Sequence, residues 1–167
     1  MSIFPRRILL ATDGSKEAEL AALRAVDIAD ATDSELHVVH VGVIPTFLEG
    51  HPGTLGYDGK LYEQIEEESG ELLRKLSWRV KVAGGTVAGA HLRMGASAAL
   101  EIVALAEELG ADLIAMGCRG HRGIRRAIEG SVSDAVIRHA PCPVLVVCPH
   151  ERAEAPEQHP ITHVGGR

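Results

Sequence analysis

Five short apolar runs punctuate the chain: Ile8 to Ala11, Leu36 to Val41, Val87 to Leu92, Leu113 to Met116 and Val144 to Val147. Between them, apolar positions recur at helical spacing. This alternation predicts an α/β domain with a largely parallel sheet, since each connection is long enough to hold a crossover helix. The first, fourth and fifth runs are continuously apolar, as strands covered on both faces are. In the third, Ala88, Ala90 and Leu92 alternate with Gly89, His91 and Arg93, which marks a half-exposed edge.

The helices follow from the same pattern. Ala18, Ala22, Ala25 and Ala29 place small side chains on one face of a helix expected over Lys16 to Thr32, letting it lie close on the sheet. Leu61, Ile65, Leu72, Leu76 and Ala83 define the inner face of a second helix, while Glu63, Glu66, Glu67, Glu71 and Lys75 form its solvated face. Ala99, Ile102, Ala106 and Leu109 line a third, which Gly110 ends. A fourth is expected from Gly130-Ser131 to His139, after which Pro141 and Pro143 force an extended lead into the last strand. Gly42 to Gly59, with two prolines and five glycines, is expected to be a long loop at the sheet's carboxyl edge. Residues 1–149 are expected to form one domain and 150–167 a polar, disordered tail.

Composition narrows the function classes. With 17 basic and 23 acidic residues the net charge is -6, which disfavours a broad grip on nucleic-acid phosphates, and 3% aromatics leaves little for base stacking. No apolar run is long enough for a membrane span and no secretory leader is recognisable, so a soluble cytoplasmic protein without a membrane partner is expected. The three cysteines, Cys118, Cys142 and Cys148, form no even-numbered framework. On a single strand Cys142 and Cys148 would sit about 20 Å apart at roughly 3.3 Å per residue, so a reduced compartment is expected, with Cys118 an inert loop cysteine.

The chemistry concentrates behind the fourth run. Gly117, Gly120, Gly130 and Ser131 are spaced G-x2-G-x9-G-S, with Val132 and Ser133 following. Glycines allow close backbone approach, and a helix start offers unpaired N–H groups at the positive end of its dipole, so the segment is built for an anion. Ser131 and Ser133 offer hydroxyls, and Arg119, Arg122, Arg125 and Arg126 add positive charge. Ala11-Thr12-Asp13-Gly14-Ser15 follows the first run at the same edge. In strand order 3-2-1-4-5 the first and fourth strands flank the topological switch point, and Asp13 faces the glycine segment across one crevice, placed to accept from ribose hydroxyls or approach magnesium.

On Ile8 to Ser15, Leu113 to Gly117, the G-x2-G-x9-G-S spacing and His139 to Val147, the chain resembles the nucleotide-binding branch of the universal stress protein family from roughly Arg6 to Cys148. The resemblance implies a single open, twisted, five-stranded parallel sheet in order 3-2-1-4-5, Rossmann-like, with helices on both faces. It also implies ATP binding, with Mg2+. Ala11, Thr12, Asp13, Val41, Met116 and Gly117 would surround the adenosine. Gly120, Gly130, Ser131, Val132 and Ser133 would hold the phosphates, mostly through backbone, with Arg119 as a further cofactor-binding residue. Glu129 departs from the apolar residue expected before Gly130; its carboxylate would repel a triphosphate unless it faces solvent or shares the magnesium.

Catalysis is not expected beyond weak ATP hydrolysis. No lysine occupies a Walker position, Ile124 stands where a thiol phosphatase would need arginine after Cys118, and His37 and His40 fall on opposite strand faces. The function expected is a stress-response or signalling module governed by bound nucleotide, with a nucleotide-free interaction module of the same fold or a slow ATPase as the alternatives. Val144 to Val147 would be a sheet edge without protecting charges or prolines, so a homodimer pairing this strand with its copy is expected.

Overall fold

A computed structural model of the protein describes residues 4–45, 58–118 and 132–149. Along these segments run β1 (Arg7–Ala11), α1 (Lys16–Thr32), β2 (Glu35–Val43), α2 (Asp58–Val82), β3 (Val87–Gly95), α3 (Ala98–Leu109), β4 (Leu113–Gly117), α4 (Val132–His139) and β5 (Val144–Val147). The strands make one five-stranded sheet in the expected order β3-β2-β1-β4-β5, every neighbouring pair parallel.

Strand alternation sends successive side chains to opposite faces and so builds two cores. Leu9, Ala11, Val39, Val41, Ile114 and Met116 pack with Ile102, Leu105 and Ala106 of α3 and Val136 of α4. Ile8, Leu10, Leu36, Val38 and Ala115 pack with Ala21, Ala25 and Val26 of α1 and Leu73 and Val80 of α2. The alanine face of α1 is what lets that helix lie close to β4: a Cβ built on Gly117 would stand 2.7 Å from the backbone carbon of Glu17 and 2.8 Å from the nitrogen of Ala18.

Local chemistry sets the helix ends. Ser15, in extended conformation, caps α1 by accepting from the Ala18 N–H at 3.2 Å. Gly110 closes α3 in the left-handed region at φ 59°, as its position in the sequence predicts. The inner face of α2 departs from expectation. Ser69, Leu73, Leu76 and Val80 are its buried residues, whereas Leu61, Ile65 and Leu72 are only partly covered and Ala83 is exposed. Small Ser69 allows the helix close to β2, where a Cβ on Gly42 would fall 2.7 Å from the Ser69 hydroxyl. Gly42 itself belongs to β2, which continues to Val43 because β3 keeps pairing with it as far as Val43↔Gly95; the expected loop therefore begins later, and its residues 46–57 lie outside the described segments.

The amino edge of the sheet is tied together. Arg6 and Arg7 N–H groups donate to one carboxylate oxygen of Asp112 at 2.9 and 3.0 Å. Glu35 N–H donates to the Arg6 carbonyl at 2.8 Å and Asp112 N–H to the Arg7 carbonyl at 2.9 Å. The Arg7 guanidinium bonds Glu35 at 2.9 Å and also the Leu109 carbonyl. This pair, with His37 beside it, holds the exposed Glu35 carboxyl below the usual range.

Candidate functional site

At the carboxyl edge, parallel register brings the predicted residues to one level. Ala11 stands opposite Met116 on one side and Val39 on the other, and β2 runs on to Val41. Ala11, Val41 and Met116 belong to the same buried layer over α3, an apolar floor beneath the switch point between β1 and β4. Thr12 is buried above it: its N–H donates to the Val39 carbonyl at 3.0 Å, and its hydroxyl accepts from Gly14 N–H at 3.4 Å. Asp13 uses Oδ1 to accept the Ser15 N–H at 3.0 Å, a turn that leads directly into the capped start of α1. Gly14 takes φ 79°, which glycine adopts without strain.

On the neighbouring strand, Gly117 ends β4 with its Cα against the first turn of α1. Its lack of a side chain therefore serves helix packing, a role the spacing argument did not include. Val132 is exposed at the start of α4, and the buried Ser133 hydroxyl donates to the Cys118 carbonyl at 3.4 Å, anchoring that helix to the end of β4. Arg119, Gly120, Gly130 and Ser131, together with Glu129, lie outside the described residues. The described residues give this edge an apolar floor, backbone polar groups and the Asp13 carboxylate at one rim. A separate shallow apolar cleft of about 180 Å³ opens between α1 and α2, lined by Leu10, Ala22, Leu23, Leu76 and Val80 and bridged by the Arg79–Glu19 ion pair.

The expectation of unpaired, reduced cysteines is corrected. Cys118 and Cys148 form a disulfide, with Cα atoms 5.2 Å apart. The β4–β5 register pairs Gly117 with Val147, so the next residue on each strand meets the other. Spacing along one strand, which rules out Cys142 with Cys148, is blind to this cross-strand pair. Cys142 remains a free thiol, its pKa pushed up first by burial and then by the charge of Asp112.

Sequence reasoning weighed His37 and His40 only as a ligand pair and gave neither a structural role. His40 Nδ1 lies 2.8 Å from the Thr12 carbonyl, which can only accept, so this nitrogen carries the proton and buttresses the turn at the site. On the other sheet face a register shift after Leu36 sets His37 opposite Gly89. The His37 and His91 rings stack with centroids 5.3 Å apart, and His37 Nδ1 lies 3.1 Å from His91 Nε2. Burial, then the neighbouring His37 and Arg93 charges, lowers the His91 pKa against an opposing pull from Glu108. Among the described residues no cluster of three His, Cys, Asp or Glu side chains is suited to a metal, and no helix is long and apolar enough to cross a membrane.

Likeness to known proteins follows the same residues. A Staphylococcus haemolyticus protein that carries the universal stress protein name is 40% identical over 149 residues, spanning 89% of this chain and 88% of that one. Among solved structures, the hypothetical protein MJ0577, whose biochemical function was assigned from its structure, superposes with TM-score 0.72 at 26% identity, covering 87% of this chain and 96% of that one. A universal stress protein in complex with cAMP superposes with TM-score 0.63 at 24% identity, covering 88% and 99%, a likeness of fold. Residues 5–148 match the sequence profile of the universal stress protein family. With the 3-2-1-4-5 sheet and this match along the same stretch of sequence, the chain belongs to the universal stress protein family.

Proposed function

We propose that the crevice between β1 and β4 binds an adenine nucleotide, ATP with Mg2+, and that the protein is a cytoplasmic stress-response or signalling module in which bound nucleotide biases a partner surface. The observation that carries this reading is the convergence of Ala11, Thr12, Asp13, Val41, Met116 and Gly117 at one edge of the switch point. The complex of a protein of this fold with cAMP supports it, because it makes the fold compatible with an adenine nucleotide. Ala11, Val41 and Met116 would seat the base, the Asp13 rim would meet the ribose, and Gly120, Gly130, Ser131, Val132 and Ser133 would hold the phosphates with Arg119 nearby. ATP, when bound, supplies a dense negative charge at the start of α4. The role we propose is binding, with at most weak hydrolysis of the bound ATP. Acid extraction of the purified protein and chromatography of the released material identifies the nucleotide. Calorimetry with Mg-ATP should then show binding that Gly120→Val abolishes while leaving the circular dichroism unchanged. Equal affinity of the two forms would sink the assignment, and an empty extract with no calorimetric binding would favour the nucleotide-free interaction module.

We also infer that the domain, residues 1–149, forms a homodimer through β5. Each of Val144–Val147 is only partly buried, and among the described residues β5 pairs with β4 alone. A copy of the same strand, antiparallel about a two-fold axis, would satisfy the outer N–H and C=O groups. Light scattering at micromolar concentration should give the mass of two chains, persisting when residues 151–167 are deleted and falling to one chain in Val146→Lys. A single-chain mass for the full-length protein refutes the dimer.

A further inference from the structure

The Cys118–Cys148 bond joins strands that backbone pairing already holds. β4 and β5 are matched from Ile114↔Val144 to Gly117↔Val147, and Cys118 N–H itself donates to the Val147 carbonyl at 2.9 Å. A covalent link added to a formed ladder contributes little to its register, so breaking it leaves the strands together. Both residues are within reach of small reagents, Cys148 exposed and Cys118 half-buried. The third thiol, Cys142, is half-buried two residues before β5 begins, at the end of that strand away from Cys148, and is held in its unreactive protonated form, so it offers no competing exchange. The bond also touches the candidate site. Cys118 follows Gly117 directly, and its carbonyl receives the buried Ser133 hydroxyl that anchors the first turn of α4.

We propose that Cys118 and Cys148 form a reversible thiol–disulfide site, reduced by dithiols and re-formed by peroxide, whose state sets the nucleotide affinity of the adjoining crevice. The second half rests on the nucleotide reading above. In reduction, a thiolate of the dithiol attacks the exposed Cys148 Sγ and expels the Cys118 thiolate; the reductant's second thiolate then attacks the mixed disulfide, releasing Cys148 and leaving the reductant as a cyclic disulfide. Two electrons and two protons pass to the protein. In oxidation, a cysteine thiolate attacks a peroxide oxygen, forming a sulfenic acid and releasing water after protonation, and the partner thiolate displaces the second oxygen as water to close the bond. The oxidised link restrains Cys118, and through its carbonyl Ser133, so less order remains to be imposed when nucleotide binds. Oxidised protein therefore binds more tightly.

The test uses the full chain. Native protein is labelled with N-ethylmaleimide before reduction by dithiothreitol, after it, and after removal of the reductant and re-oxidation with hydrogen peroxide, with labelled sites assigned by peptide mass mapping. Labels at Cys118 and Cys148 should appear on reduction and disappear on re-oxidation. Mg-ATP should bind about five-fold more weakly after reduction, and Cys148→Ser should match the reduced protein under all conditions. Failure of the labels to appear in folded protein, or to disappear with peroxide, overturns the redox site. Equal affinity of oxidised, reduced and Cys148→Ser protein overturns the coupling. If no form binds nucleotide, the nucleotide reading and the coupling fall together, while the labelling decides the redox site on its own.

Discussion

Replacing Gly117 by valine is expected to destabilise the domain by about 3 kcal/mol or more, beyond the usual range for overpacking. The reason is the nature of the neighbours. The new Cβ would meet the backbone carbon of Glu17 and nitrogen of Ala18 at 2.7 and 2.8 Å, and backbone in the first turn of a helix has no rotamer through which to yield. To make room, α1 must lift from β4, opening the layer in which Ala21, Ala25 and Ala115 are buried. Urea denaturation without nucleotide measures it, with Gly117→Ala, which lacks the two γ-methyl groups, expected to fall between wild type and valine. A valine variant with the wild-type midpoint would show that α1 and β4 are not packed as described. The comparison also separates packing from binding, since a glycine kept only for ligand approach leaves the empty protein's stability untouched.

Ile114→Ala should cost roughly 2–5 kcal/mol, the range for removing most of a fully buried aliphatic side chain and leaving a partly unrelaxed void. Ile114 is wholly buried in β4, opposite Leu9 of β1 and Val144 of β5, in the layer shared with Leu105 and Val136. Strands on both sides and helices above leave little freedom to collapse into the gap. Ile114→Val, one methylene smaller, should lose about 1 kcal/mol. Denaturant midpoints for the two variants give the test; equal losses would mean that the site relaxes around either side chain.

The sequence made the architecture legible wherever a single element carried its own signal. The limits of α1 could be read because Ser15 caps one end and alanines repeat along the buried face. The α/β class and the parallel sheet followed from alternation, while the strand order came with the family resemblance. Features that depend on register between elements were hidden. The extension of β2 to Val43 needs β3 as a partner, the His37–His91 stack needs the shift after Leu36, and the Cys118–Cys148 link needs β4 and β5 to be side by side. Of the expected α2 stripe Leu76 is buried, but apolar spacing favoured leucines and missed Ser69, which is buried beside Gly42 of β2. The places of Ala11, Thr12, Asp13, Met116 and Gly117 at the carboxyl edge were foreseeable from strand ends, whereas Val41, expected to end β2, lies two residues before its end at Val43. The internal use of Asp13 Oδ1 and the Ser133 hydroxyl was not, because short polar side chains choose backbone partners that only the folded chain supplies.

The amino edge gives the sheet a mechanical polarity. Asp112 gathers the amides of Arg6 and Arg7, Glu35 and Asp112 return bonds to the same two residues, and Arg7 reaches both Glu35 and the end of α3. The ribs of the sheet are thus pinned at one end like those of a fan. Spreading of β1 from β4 is thereby resisted at the amino end, which leaves the opposite rim, where the ladder closes at Ala11 and Met116, as the end freer to yield.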